Sequence, residues 1–297
     1  PVPRQVNGDV ISFLWQCSKN GYRSSTVEGF SKALRDIAKH VDINSPEDVK
    51  EYVAKKQVSE GRKEVIVNCY ANYCQWKGLK FGRPLYRRVK KLPFVPLEAE
   101  IDALIADLPG KISVFSQLIK ETGARPGEAW NLQWVDVNPQ TNTVTINSPE
   151  KNSNPRVLKV SASLISRLLL MKRKTQWIFK SNSNAKLKTI TRRFEVRRKA
   201  IANKLQNPRI SLISFKSLRH FKATMEYHRT KDILYVKELL GHVSITSTLV
   251  YTHLVNFESD EWTCKVANNL EEAVKLVEAG FEYVTDMDHI KIFKKRK

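Results

Sequence analysis

The sequence predicts a mainly α-helical protein with one small β-sheet, organised as two domains and a C-terminal extension. Three observations support this fold class. Apolar residues recur every three or four positions along most of the 297 residues, which is the period of one helix face. Alternation of apolar and polar residues, the pattern of a strand, occurs at 143–146 and 156–160. A basic segment with Gly and Pro at 80–93 interrupts the helical pattern and separates two stretches long enough to form cores.

Residues 1–79 predict a bundle of four short helices. The first has an apolar stripe that includes Val10 and Ile11. The third is predicted to start at Ser45, because a serine cap, a following proline and two acidic residues are favoured at a helix start. The fourth ends at Gly78. This periodicity alone fits many helical modules.

Residues 80–93 predict a linker between the domains. Two prolines and a glycine break the helical period, and the segment is strongly basic. Such cations are either solvated or bind a polyanion, where each can replace a condensed counterion. We favour nucleic-acid contact for six of them: Lys80, Arg83, Arg87, Arg88, Lys90 and Lys91.

Residues 94–260 form the second predicted domain. Apolar residues recur with the period of a helix from residue 97 and again from residue 112. The two segments of alternating residues predict a hairpin with its turn at 147–155. Lys151 then lies at the hairpin tip. A basic helix follows at 191–199. A charged face of this kind is often simply solvated, but its density favours phosphate contact by Arg192, Arg193 and Arg197.

The densest group of reactive side chains lies in 216–253. Leu218, Phe221 and Met225 share one helical stripe, which leaves Lys216 and Arg219 together on an adjoining face. Two cations are therefore expected to point the same way.

The two helices that follow are predicted from the residues at their ends. A second stripe stops at Gly241, the residue type best able to follow a helix end, so His242 is held in a turn. Ser244 is expected to cap a third helix, with Ile245 and Leu249 facing the core, that carries Tyr251 about two turns in. A tyrosine, a histidine and two cations could thus meet in one pocket.

Residues 261–297 predict a C-terminal extension. Asn269 and Glu272 have the spacing of a capping box before a helix whose stripe is Leu270, Ala273, Val274 and Val277. A hairpin about 286–288 follows. The extension either contacts a neighbouring protomer or covers its own domain.

The net charge of +21 is the most informative bulk property. Residues 1–92 contribute +9, residues 93–260 contribute +12, and the extension is neutral. A field of this sign attracts polyanions, of which nucleic acid is the usual one. The alternative is a highly charged surface of the kind found in thermophiles. No apolar run approaches a membrane span, the four cysteines show no paired metal-ligand spacing, and we expect a cytoplasmic protein with no metal and no cofactor.

The spacing of the reactive residues resembles that of the tyrosine recombinases, the integrase and Xer group. Lys216, two residues and Arg219 precede Leu-Gly-His at 240–242, and Tyr251 follows that histidine by nine positions. Upstream, Arg125 lies in Thr-Gly-Ala-Arg-Pro-Gly-Glu at 122–128, and Lys151 lies on the hairpin. The resemblance is close over about 94–256 and covers 7–90 only in outline.

The resemblance implies a site-specific DNA recombinase with a core-binding bundle at 1–79, a linker at 80–93, a mixed α/β catalytic domain at 94–260 and the extension. Tyr251 would attack a phosphodiester and form a 3′-phosphotyrosine, without metal or ATP. Arg125 and Arg219 suit the non-bridging oxygens, because a guanidinium offers paired donors. His242 can donate a hydrogen bond to the phosphate.

Two lysines complete the implied site. Lys151 is the candidate acid for the 5′-hydroxyl, and Lys159 on the same hairpin is its alternative. Lys216 occupies a position where many relatives have histidine, so it either takes part in proton transfer or binds phosphate. Glu128 is expected to orient the bend at Arg125 or a neighbouring histidine rather than to act on substrate.

The implied partners are double-stranded attachment sites, held by a homotetramer on synapsed DNA, with a monomer or weak dimer when free. The ending at 281–296 resembles archaeal integrases, which suggests a mobile element acting near the nucleoid of its host. Two rival interpretations are a type IB topoisomerase-like enzyme and a non-catalytic DNA-binding protein of the same fold.

Overall fold

The computed structural model describes residues 4–89, 91–171, 173–254, 262–287 and 290–296. The chain divides into two compact units, residues 1–91 and 92–297. This division falls inside the segment predicted to be the linker. In the described ranges, no helix has the length and apolar character needed to cross a membrane.

The first unit is the four-helix bundle that the sequence predicts. Its core contains Tyr70 and Tyr73, both fully buried, and the Tyr70 hydroxyl donates to the Ile43 carbonyl at 2.8 Å. Ile11 was expected in the core stripe but is exposed, and Phe13 is buried instead. The helices are α1 (Arg4–Lys19), α2 (Ser24–Ala38), α3 (Pro46–Lys55) and α4 (Glu60–Lys77).

The basic segment after α4 has no helix or strand among its described residues. Phe81 and Tyr86 pack against the core of the bundle, and the Phe81 ring meets Tyr70 edge-on with centroids 4.8 Å apart. The start of this segment therefore packs on the four-helix bundle.

The second unit is built around a central helix whose Phe115 is fully buried. The Phe115 ring makes edge-on contacts with Phe179 and Phe215, at centroid distances of 4.9 and 5.0 Å. The first seven helices of this unit are α5 (Glu98–Asp107), α6 (Gly110–Thr122), α7 (Pro126–Trp130), α8 (Ala162–Leu169), α9 (Leu187–Lys204), α10 (Phe215–Thr230) and α11 (Ile233–Leu240).

A three-stranded antiparallel sheet contains the predicted hairpin. Its strands are β1 (Val137–Asn138), β2 (Thr143–Ile146) and β3 (Arg156–Lys159), in that order. Ile146 of β2 lies opposite Arg156 of β3, so residues 147–155 form the connecting loop. The sequence pattern did not reveal β1.

The predicted helix around Tyr251 is wrong. Ser244 does cap the segment, since its side chain accepts from the Thr246 backbone N–H, but two short 3₁₀ segments follow, Ile245–Ser247 and Leu249–Leu254. Ile245 and Leu249 are largely exposed and do not face the core. The residues between them, Thr246, Ser247 and Thr248, favour α-helix only weakly.

The C-terminal extension contains one more strand than predicted. Its elements are β4 (Trp262–Ala267), α12 (Leu270–Glu278), β5 (Glu282–Met287) and β6 (Ile290–Arg296), with β6 central in the sheet. Asn269 caps α12 as expected. Of the predicted stripe only Ala273 is buried, while Leu270, Val274 and Val277 are exposed. Residues 288 and 289, at the predicted turn, lie outside the described residues. The fold class is the one predicted, mainly helical with small sheets.

Candidate active site

Arg219 is a buried cation on α10, with 6% of its surface exposed. Its guanidinium donates to the carbonyls of Gly123 at 2.5 Å and Leu240 at 3.0 Å, so it joins the end of α6 to the end of α11. Burial and the nearby charge of Arg125 lower the pKa of Arg219 to about 10. The group is therefore still a cation at neutral pH, and two backbone carbonyls fix its position.

His242 lies next to Arg219 because Gly241 ends α11 in the left-handed conformation, with φ of 67°. The His242 Nε2 is 2.9 Å from an Arg219 Nη2, and its Nδ1 is 2.9 Å from the Thr248 hydroxyl oxygen. Since arginine can only donate, Nε2 accepts and Nδ1 carries the hydrogen. Both ring nitrogens are therefore occupied within the protein. Burial, then the charge of Arg219, lowers the pKa of His242 to about 4, so the ring is neutral.

Arg125 immediately precedes α7. Its backbone N–H donates to the Glu128 carboxylate at 2.9 Å, and its guanidinium donates to the same carboxylate at 2.9 Å and to the Ser153 hydroxyl. The side chain keeps 16% of its surface exposed. Arg125 is thus held in place by hydrogen bonds while its side chain remains partly exposed.

Glu128 organises this bend, as the sequence suggested. Its side chain is fully buried, and besides Arg125 it accepts from the Arg156 guanidinium at 2.6 Å and the Glu150 backbone N–H at 3.2 Å. Burial raises the pKa of Glu128, but the hydrogen bonds and charges of Arg156 and Arg125 outweigh it, and the net effect is a lowered pKa. Glu128 is an ionised carboxylate shared by two arginines.

Tyr251 lies against α10 and α11, where it packs with Ala223, Val236 and Leu240. It is 2% exposed, and its hydroxyl oxygen lies 3.0 Å from the His220 Nδ1. Burial raises the pKa of Tyr251, and the charges of Arg219 and Arg125 partly oppose this rise. Both guanidiniums therefore act on the phenol, and the three groups share one site.

The two lysines of the predicted site are exposed and less closely tied to it. Lys151 has φ of 57° in the β2–β3 loop, the loop that also supplies Ser153 to Arg125. Lys216 and Arg219 are three positions apart on α10 but differ in burial, since Arg219 is buried and Lys216 is exposed. The charge of Lys216 nevertheless lowers the pKa of His220.

Sequence reasoning missed Arg156 and Thr248 and left His220 as a structural neighbour. Arg156 is at the start of β3, where its register places it by Glu128, and its charge affects Arg219 and His242. Strand alternation alone does not single it out. His220 directly follows Arg219, a signal that becomes useful only when the fold brings Tyr251 to it.

The predicted DNA-binding side chains are exposed where they are described. Arg192, Arg193 and Arg197 line a cavity of about 900 Å³ beside α9, together with Lys111, Lys186 and Lys188 and without an acidic residue. In the basic segment of the first unit, Lys80, Arg83, Arg87, Arg88 and Lys91 are exposed, while Lys90 lies outside the described residues. Among the described residues, no group of three or more His, Cys, Asp or Glu has a metal-binding arrangement.

Comparison with known proteins agrees with this geometry. The family model described as the phage integrase family matches residues 98–257. The tyrosine recombinase XerH of Campylobacter jejuni is 23% identical over 277 residues, which are 91% of this chain and 71% of XerH. The tyrosine recombinase XerC of Oceanobacillus iheyensis is 26% identical over 245 residues, 76% of this chain and 79% of XerC.

Two solved structures share the fold. The Tn1549 transposon integrase in complex with transposon right end DNA has a TM-score of 0.64 at 13% identity, covering 92% of this chain and 99% of the integrase. A lambda integrase dimer bound to a COC′ core site has a TM-score of 0.60 at 15% identity, covering 86% and 79%. Because the family match spans more than half of the chain, this protein belongs to the phage integrase family and is a tyrosine-type site-specific recombinase that acts on DNA.

Proposed function

We propose that this recombinase cuts and rejoins duplex DNA through a covalent 3′-phosphotyrosine at Tyr251. The observation that carries the proposal is that Tyr251 packs against Leu240, whose carbonyl accepts a hydrogen bond from Arg219, and that the charges of Arg219 and Arg125 partly oppose the rise in the pKa of the phenol that burial causes. A phosphodiester gains negative charge as it is attacked, and preorganised cations stabilise that charge. The phosphotyrosine keeps the bond energy for religation, so the proposed reaction uses neither ATP nor a metal ion.

The other site residues receive distinct roles. Arg125, whose side chain is partly exposed, binds a non-bridging oxygen, and buried Arg219 stabilises charge from within the protein. His242 fixes Arg219 through their hydrogen bond. Lys151 protonates the leaving 5′-hydroxyl, with Lys159 as the alternative. Lys216, exposed on α10, binds phosphate.

The substrate we propose is a pair of double-stranded attachment sites held by four protomers, with a monomer or weak dimer free in the cytoplasm. The described relatives include a lambda integrase dimer on a core site. Residues 1–79 would clamp the duplex, residues 94–260 would cut it, and the cations of the basic segment and α9 would bind its phosphates. We further propose a mobile element of an archaeal host, on the resemblance of 281–296 to archaeal integrases.

A nicked suicide duplex carrying the candidate attachment site tests the nucleophile, because the cut strand's short end diffuses away and traps the covalent complex. Tyr251→Phe should bind this duplex as the wild type does and form no adduct that survives denaturation. The matched control is Tyr235→Phe on α11, which should form adducts normally. Adducts that persist with Tyr251→Phe would refute the proposal. Plasmid relaxation without a specific site and without joined products would instead indicate a topoisomerase.

A further inference from the structure

The hydroxyl of Tyr251 has a partner that the reaction described above leaves unused. His220 lies on α10, and its Nδ1 is 3.0 Å from the Tyr251 hydroxyl oxygen. The two ring centroids are 5.7 Å apart at an interplanar angle of 53°. A nitrogen with a lone pair at this distance is within reach of the phenolic hydrogen.

The groups around His220 keep its ring neutral. Lys216, one turn earlier on α10, and Arg219, its neighbour in the chain, both oppose a positive charge on the imidazole, and burial opposes it more strongly. Together they lower the pKa of His220 to about 4. The 3₁₀ segment Leu249–Leu254 packs against α10, and the group that it places opposite His220 is the hydroxyl of Tyr251. The phenol is held protonated by burial, so a neutral ring nitrogen meets a hydroxyl that still has its hydrogen.

Lys216 does not fit the task of taking this hydrogen. It occupies the position where many relatives carry histidine, but it is exposed, and a lysine ammonium has three donors and no acceptor. His220 lies one helical turn further along the same helix and contacts the nucleophile directly. In this chain an imidazole is therefore present at the phenol even though the usual position holds a lysine.

We propose that His220 is the general base of the cleavage step and that its Nδ1 accepts the hydrogen of the Tyr251 hydroxyl, an inference that rests on the function proposed above. The Tyr251 oxygen forms a bond to phosphorus as its proton passes to Nδ1. The bond from phosphorus to the 5′-oxygen breaks, and that oxygen takes a proton from the acid assigned to Lys151. In religation the 5′-hydroxyl attacks phosphorus and returns its proton to Lys151, and protonated His220 returns its proton to the departing phenol oxygen.

The order of events follows from the charges. Before DNA binds, a proton on His220 and a negative phenolate would both be unfavourable at this buried position, so the hydroxyl stays intact. The scissile phosphate brings a negative charge that favours imidazolium. Bond formation at phosphorus makes the phenol oxygen far less basic at the same moment. The transfer therefore accompanies attack and does not precede it.

The first test is His220→Asn, because the asparagine amide oxygen can occupy the place of Nδ1 and accept the hydrogen bond but cannot take the proton. The matched control is His228→Asn, an exposed histidine two turns later on α10. We expect His220→Asn to bind the suicide duplex normally and to lower the single-turnover cleavage rate by about 10² to 10⁴-fold, the usual contribution of a general base. His228→Asn should cleave at the wild-type rate.

The second test separates the base from the acid. In a duplex whose scissile 5′-oxygen is replaced by sulfur, the leaving thiolate needs no proton. Lys151→Ala should recover much of its rate on this duplex, whereas His220→Asn should stay as slow as on the normal one. Recovery of His220→Asn by the sulfur substrate would overturn the proposal, as would a cleavage rate equal to wild type on both substrates.

The outcomes also distinguish this inference from the proposed function. If the wild type forms Tyr251 adducts and His220→Asn forms them equally fast, only the role of His220 fails. If the wild type forms no adduct, or if Tyr251→Phe still does, the nucleophile itself is wrong. Unimpaired duplex binding by His220→Asn shows that its defect is not a failure to fold.

Discussion

The buried carboxylate of Glu128 accepts a hydrogen bond from the guanidinium of Arg156 at 2.6 Å, across 28 residues of sequence. The same carboxylate holds the backbone and side chain of Arg125 and the backbone of Glu150. One side chain thus joins the start of α7 to the β2–β3 loop and to the start of β3. The position of Arg125, and of the loop that carries Lys151, depends on this contact.

Replacing Glu128 by Gln should destabilise the second unit strongly. The change leaves Arg125 and Arg156 without their shared counter-charge, and removing one partner of a buried ion pair costs about 3–5 kcal/mol. Urea unfolding measures the loss. Asp107→Asn is the control, because it breaks an exposed pair with Lys204, and we expect less than about 1 kcal/mol. Equal unfolding midpoints for the two variants would contradict the assigned role of Glu128.

Replacing Gly241 by Ala should disturb the site more than an ordinary glycine change. The residue has φ of 67°, and an added Cβ would lie 2.9 Å from the Asn154 carbonyl oxygen and 2.8 Å from an Arg156 Nη1. The backbone contact cannot easily move, so we expect a loss of roughly 2 kcal/mol or more, together with slower cleavage, because His242 is displaced.

Gly280→Ala is the matched control for that change. Gly280 also has positive φ, at 80°, but an added Cβ would meet nothing closer than 3.7 Å. We therefore expect only the cost of the left-handed conformation, about 1 kcal/mol, and normal cleavage. A Gly280 variant as unstable and as inactive as the Gly241 variant would show that steric contact with the loop is unimportant.

The stability of the second unit should fall as the pH drops from about 7.5 to about 5. His220 and His242 both have a pKa of about 4 in the folded chain, below the ordinary value of 6.5. Between these values the unfolded chain binds protons that the folded chain excludes, so acid favours unfolding. By pH 5 the free energy of unfolding is expected to fall by about 2 kcal/mol through buried His242 and by less through half-buried His220.

Urea unfolding at the two pH values checks this prediction, and a variant that lacks the His242 ring removes one of the two titrating groups. His242→Asn should be less stable at neutral pH but should lose less on acidification than the wild type. His228→Asn, at an exposed position on α10, should keep the wild-type dependence. A pH dependence unchanged in His242→Asn would show that this ring does not resist protonation in the folded protein.

The basic face of α9 should contribute to the salt dependence of DNA binding. Each cation that contacts a phosphate releases a counterion, which steepens the fall of log K with log salt by about 0.9. Changing Arg192, Arg193 and Arg197 together to Gln should therefore reduce the slope by about 2 to 3, measured by fluorescence anisotropy across a salt series. Arg229→Gln is the control, since Arg229 is paired with Glu226. An unchanged slope in the triple variant would place α9 away from the phosphates.

Local sequence determined most of the helices, the hairpin and the identity of the reactive groups. The end of α11 at Gly241 follows from an apolar stripe and one glycine, and the spacing of Arg125, Arg219 and Tyr251 was sufficient to indicate the family. These signals could be read because period, caps and motif spacing depend on residues close together in the chain.

Only the tertiary structure decided which groups touch. Arg219 bonds a carbonyl 96 residues away, and His220 meets Tyr251 across 31 residues, contacts that no local period encodes. Arg219 is buried because it bonds carbonyls at the ends of α6 and α11, while Lys216 on the same helix is exposed. The sequence by itself thus determined which side chains could perform the reaction, and packing decided the partner, charge state and accessibility of each, because these depend on neighbours that are distant in the chain.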